Sequence, residues 1–173
     1  MDAQAIIDYL KNAGPVSIVT FIMGFFVSRW TMSKKERKDY EQKLYENGID
    51  LMDKQNERFQ EFTTALTKYI ENKERPTLDD FYQIATSGEK YFYQQKIASD
   101  AILTNKVDAH VRDNTLVPSI KEAVSKSLPQ YYKSLKVISD KKGYKYTGQL
   151  KRENYESLYL VVEKYGRESG QTI

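Results

Sequence analysis

The sequence has no cysteine and a single histidine, His110, among its 173 residues. Disulfides are excluded. A zinc centre, which wants three or four His, Cys or carboxylate ligands at set spacings, has almost nothing to draw on. Nucleophilic catalysis of the Ser-His-Asp or Cys-His kind would have to use His110, which stands in a charged stretch between Asp108 and Asp113 with no nucleophile-elbow motif to support it. Phosphate-cradling loops are missing as well. Ser87-Gly88-Glu89-Lys90 offers a glycine and a lysine but not the spacing or second glycine that let backbone amides wrap a phosphate. Asp79 and Asp80 are helix neighbours, splayed about 100° apart, and read as acids of a first helical turn. The chain is therefore read as non-enzymatic, with no metal and no cofactor. Glycine and proline are scarce, at eight and four, which argues against a turn-rich sheet design.

What the chain does have is one apolar run. From Ala13 to Met32 it reads AGPVSIVTFIMGFFVSRWTM, and between Val16 and Val27 no residue is charged. A helix rises ~1.5 Å per residue, so Pro15 to Met32 would reach about 27 Å, close to a ~30 Å hydrocarbon core. Arg29 and Trp30 suit an interface, and Pro15 suits a first helical position. The run reads as a transmembrane anchor over 13–32. Lys11 precedes it, whereas Arg29, Lys34, Lys35, Arg37 and Lys38 follow, so the positive-inside tendency puts the N-terminus outside and the remainder in the cytoplasm, at an inner membrane. Thr20, Gly24 and Ser28 recur every four residues and would share one helix face, a spacing that lets helices approach closely in lipid and so marks self-association. Residues 1–12, with Ile6, Ile7, Tyr9 and Leu10 on one side, read as a short amphipathic segment.

Beyond the anchor the patterning is that of helices. Residues 33–75 form an expected stalk helix. Phe59, Phe62, Leu66 and Tyr69 follow a coiled-coil seam that Tyr45 and Met52 extend, while Gly48 and Gln55 interrupt it. Pro76 ends the stalk. Thr77, with Asp80 three residues on, is a capping box that starts a helix at Leu78, and Thr86-Ser87-Gly88 is expected to break or kink it before it resumes to about Val111. Asp113-Asn114-Thr115 signals the next start, Pro129 a start or kink, and Lys141-Lys142-Gly143 a stop. Residues 143–148 form a loop or short strand. The last helix runs from about Thr147 to Tyr165, with Leu150, Leu158, Val161, Val162 and Tyr165 inward and Gly166 as its stop. The domain over 76–166 is all-α, and 167–173 reads as a frayed tail.

Charge is concentrated in one segment. Between Lys121 and Arg152 the only acids are Glu122 and Asp140, against a series of lysines. Lys133, Lys136, Lys141, Lys142 and Lys145 interleave there with Tyr131, Tyr132, Tyr144 and Tyr146. Ammonium groups neutralise phosphates while aromatic faces stack on bases, so Lys133, Lys136, Lys141, Lys142, Tyr144, Lys145 and Tyr146 form the candidate anion-binding set, for a nucleotide or a nucleic acid. The same segment suits an anionic membrane surface or an acidic protein. The competing reading is a solvated lysine face whose tyrosines pack inward.

In layout alone, an N-terminal anchor with a small cytosolic helical domain is similar to many bacterial accessory proteins, among them membrane effectors of antiphage systems in which a cytosolic domain senses a nucleotide. That resemblance identifies no residues. Two functions stay open: a self-associating scaffold that tethers a protein partner at the cytoplasmic face, and an effector whose anchors rearrange when an anionic ligand binds.

Overall fold

The computed structural model describes residues 15–72 and 76–166; the side chains of residues 15–26 and 28–32 lie outside the description. The described residues are predominantly helical, with no strand among them. The chain forms two compact units, Met1–Lys43 and Leu44–Ile173.

The first unit contributes the opening part of helix α1 (Pro15–Glu71). Its backbone is helical from Pro15. Among the described residues, no helix is long and apolar enough to cross a membrane. The anchor side chains, including the Thr20/Gly24/Ser28 face, lie outside the described residues, as do the 1–12 segment and the 167–173 tail. Residues 33 to 43 are exposed, with Arg37 and Glu41 paired one turn apart at 2.9 Å.

The second unit begins where α1 first meets other chain. The Asp108 amide donates to the Leu44 carbonyl at 3.2 Å, and the Asn47 side chain donates to the Lys106 carbonyl at 3.4 Å. Residues 44–71 thus belong to the helical domain, and the stalk expected over 33–75 ends at 43. The two residues that interrupt the coiled-coil seam explain the difference. Gly48 is buried because a Cβ there would lie 2.9 Å from a Val111 methyl and 3.2 Å from one of Val107. Gln55 is buried because its amide donates to the Ser119 hydroxyl at 2.6 Å. The seam faces this chain's own core rather than a coiled-coil partner.

Helix α2 (Leu78–Leu103) is the centre of that core. Thr77 caps it, its hydroxyl accepting from the Asp80 amide while the Asp80 carboxylate accepts from the Thr77 amide. Those bonds, with Lys68 of α1 at 3.2 Å, hold the Asp80 carboxyl down to about 2. The break expected at Thr86-Ser87-Gly88 does not occur. Gly88 is instead the point of closest approach: a Cβ there would lie 2.2 Å from the Tyr131 ring and 3.0 Å from that of Phe62. Phe81, Ile84, Ala85, Phe92, Gln95, Ala98 and Ile102 line the buried side. The helix ends at Leu103, eight residues before the expected Val111. Asn105 adopts φ 56°, its amide bonds to the Ile102 carbonyl, and the Lys106 amide bonds to Ala101 at 2.9 Å. This is a Schellman stop made with asparagine instead of glycine.

From Ala109 to Lys142 the chain is helical throughout, in five stretches. Helix α3 (Ala109–Val111) is capped by Asp108, whose carboxylate accepts from the His110 and Val111 amides. A π-helical stretch (Arg112–Leu116), α4 (Val117–Glu122), a second π-helical stretch (Ala123–Ser127) and α5 (Leu128–Lys142) follow. Each π stretch ends just before a proline, Pro118 or Pro129, at the second position of the next helix. Proline has no N–H and its ring crowds the carbonyl four residues back, and a π turn widens the helix there. The start signal expected at Asp113-Asn114-Thr115 is therefore overturned: the true cap is Asp108. Gly143, in the left-handed region at φ 71°, stops α5 as expected. Residues 144–151 carry no regular structure. A 3₁₀ turn (Arg152–Tyr155) then leads into α6 (Glu156–Tyr165), shorter than the expected 147–165 helix. Leu158 and Val161 are buried in the core, and Arg112 sits over the Tyr165 ring at 4.7 Å.

Gly88→Ala tests the close approach. The exchange would ordinarily gain up to about 1 kcal/mol of helix propensity. Here the added methyl meets a buried ring, and thermal unfolding is expected to show a net loss of about 1–3 kcal/mol.

Candidate functional site

The basic segment divides on folding. Lys133, Lys136, Lys141, Lys142 and Lys145 are all exposed, and Lys136 pairs with Asp140 at 2.8 Å. The tyrosines turn the other way. Tyr144 donates its hydroxyl to the Pro76 carbonyl at 3.1 Å and packs on Phe81, ring centroids 5.2 Å apart. Tyr146 meets Phe81 edge-on at 5.7 Å, with its hydroxyl buried. Helix α5 positions Lys133, Lys136, Lys141 and Lys142, whereas the loop after Gly143 carries the other three candidates. Tyr144 and Tyr146 share Phe81, and one lysine joins a tyrosine: Lys136 and Tyr146 lie at the edge of a pocket of about 260 Å³ that Tyr132, Gly148 and Leu150 also line.

Tyr146 belongs to a group of phenols drawn from three elements. Tyr131 donates to the Ala85 carbonyl inside α2, and the Tyr132 and Tyr155 hydroxyls share a hydrogen bond at 2.9 Å. Burial, with a contribution from the Glu89 charge, pushes Tyr146 up to about 12 and Tyr131 and Tyr155 higher still; for Tyr155 the bond to Tyr132 adds to it. Tyr131, Tyr146 and Tyr155 are therefore neutral at any physiological pH and serve as apolar walls. The Tyr146 hydroxyl has no hydrogen-bond partner among the described residues. It lies over Gly148, where a Cβ would come 2.2 Å from its oxygen. Only glycine leaves room for that ring.

A second buried polar group links α1, α2 and α4. The Gln95 amide donates to Tyr91 at 2.9 Å and to Ser119 at 3.2 Å, the same hydroxyl that receives Gln55. Buried polar links of this kind fix the register of packed helices. His110 is exposed, its ring nitrogen 3.0 Å from the Asn114 amide. Among the described residues no three His, Cys, Asp or Glu side chains gather as a metal site would require.

Two further depressions border α2. A groove of about 570 Å³ runs along its contact with α1, past Glu57, Glu61, Lys68 and Lys90. The other holds Glu89, Tyr93, Tyr132 and Tyr155. From the sequence, Glu89 stands out only as part of a failed phosphate loop, and Tyr93, Asn154 and Tyr155 do not stand out at all. The α2 pair Glu89/Tyr93 and the pair Asn154/Tyr155 lie far apart in the chain and meet only because the 3₁₀ turn sits beside α2. No protein-family model, curated protein or solved structure matches this chain.

The two hydroxyl environments make opposite expectations. Tyr132→Phe strands the buried Tyr155 hydroxyl and should cost about 1–2 kcal/mol in chemical denaturation. Tyr146→Phe removes an unpartnered buried hydroxyl and should be neutral or stabilising.

Proposed function

We propose that this chain is a non-enzymatic, single-pass membrane protein that self-associates and holds a protein partner at the cytoplasmic face. The observation that carries the reading is the uncharged run from Val16 to Val27, helical in its backbone, with Arg29, Lys34, Lys35, Arg37 and Lys38 directly after it. The Thr20/Gly24/Ser28 spacing supports association of anchors. The domain from Leu44 onward has its own apolar core, so it could serve as the docking body.

The placement of the basic segment favours a protein partner over a nucleic acid. Base stacking needs open aromatic faces, and Tyr144 and Tyr146 are turned inward to pack against Phe81. The exposed lysines of α5 are left as a charged surface suited to an acidic partner. One observation supports the second reading, the ligand-gated effector: Lys136 borders the 260 Å³ pocket beside Tyr132 and Tyr146, where a small anion could reach both an ammonium and phenol donors.

Because the chain lacks cysteine, single introduced thiols report topology cleanly. Washed membranes from cells expressing the full chain should retain it in alkaline carbonate and release it in detergent. An impermeant maleimide should label Ala3→Cys in intact cells and Lys145→Cys only after lysis. Release by carbonate would overturn the anchor, and labelling in the opposite order would overturn the orientation.

A further inference from the structure

The depression between α2 and α5 has a chemistry of its own, independent of whether α1 enters a membrane. It is an open depression of about 460 Å³, within the ~300–1,000 Å³ usual for small-molecule sites. Six residues line it: Glu89, Lys90 and Tyr93 from α2, Tyr132 from α5, and Asn154 and Tyr155 from the 3₁₀ turn. Two of its walls are fixed. The Tyr132 and Tyr155 rings stand at 68° with centroids 6.4 Å apart, held by the bond between their hydroxyls.

The third ring is not explained by folding. Tyr91 and Phe92, its neighbours on α2, pack into the core, whereas Tyr93 is 61% exposed and makes no hydrogen bond among the described residues. Glu89 is likewise unexplained: it is exposed and forms no ion pair among the described residues, despite the lysines on α2 and α5. Glu89 lines the depression together with Tyr132 and Tyr155, and its charge adds to the burial that raises the Tyr131, Tyr146 and Tyr155 phenols. Aromatic faces carry negative potential, and rings lining a depression beside a carboxylate attract a bulky, weakly hydrated cation better than a small, strongly hydrated one. Lys90 adds a positive charge at the same rim, next to Glu89 in sequence.

We propose that this pocket binds an alkylated ammonium group between Tyr93, Tyr132 and Tyr155, with Glu89 as its counter-charge and Lys90 receiving an anionic group where the ligand carries one. The ligand class is choline-like, and a phosphocholine matches both charges. Such a group reaches the pocket either as a free metabolite or as a lipid headgroup.

The test is calorimetric titration of the full chain in maltoside detergent, which carries no ammonium of its own, with tetramethylammonium, choline and phosphocholine. Each should bind, and 3,3-dimethylbutan-1-ol, the neutral isostere of choline, should bind at least about tenfold more weakly. Tyr93→Ala and Glu89→Gln alter exposed side chains outside the core, and each should weaken choline by about tenfold with unchanged thermal unfolding. Lys90→Ala should reduce phosphocholine to the affinity of choline and leave choline unaltered. Flotation with phosphatidylcholine vesicles, competed by free phosphocholine, supports the site with a lipid source, and phosphocholine binding without competition supports it with a soluble one. Absence of binding by all three ammonium compounds, equal binding of the neutral isostere, or binding indifferent to Tyr93→Ala and Glu89→Gln would overturn the proposal.

Discussion

The close approach at Gly88 is the constraint around which the helical domain is arranged. Where α2 has no side chain, the Tyr131 ring from α5 lies against its backbone and the Phe62 ring from α1 reaches the same spot. Tyr131 then donates to the Ala85 carbonyl, one turn back along α2. Phe62 and Tyr131 meet edge-on at 5.7 Å, and Phe92 stands within 6.5 Å of both. Three helices are thereby fixed at one point by ring contacts worth ~0.5–1.5 kcal/mol each beyond area burial. The placement of Tyr132, next to Tyr131, follows from this. So does the tyrosine group that lines both pockets on the α5 side.

Two further small or polar residues do the same work along α1. Gly48 admits Val107 and Val111, and Gln55 reaches Ser119. Both positions look like faults in a coiled-coil repeat, because a repeat assumes a second helix of the same kind. The surface they meet is of another kind: Val107 in the loop held by the Asn105 stop, Val111 of α3, and Ser119 of α4. Sequence periodicity reports that a helix buries one side. It does not report against what.

The same distinction explains how much was legible. The all-α class, the Thr77/Asp80 start, the Gly143 stop and the inward set Leu158 and Val161 could all be read directly, since each depends on residues within one or two turns of each other. The end of α2 could not, because Asn105 performs a role usually given to glycine. The continuity from Ala109 to Lys142 was hidden by Pro118 and Pro129, whose disruption the π turns absorb. In the candidate site, the lysines could be placed on the surface from composition. The direction of Tyr144 and Tyr146 depends on Phe81, more than sixty residues away, and nothing local to the basic segment reveals it.

The central claim is that α1 changes role at residue 44, from exposed helix to part of the domain core. Hydrogen exchange of the full chain, followed by mass spectrometry, measures this directly, because amides in a packed core exchange only through large-scale opening whereas those of an exposed helix fray locally. The amides of residues 48–66 should exchange as slowly as those of 84–102, with those of 33–43 faster by orders of magnitude. Uniformly fast exchange from 33 through 71 would contradict the account and restore a free stalk.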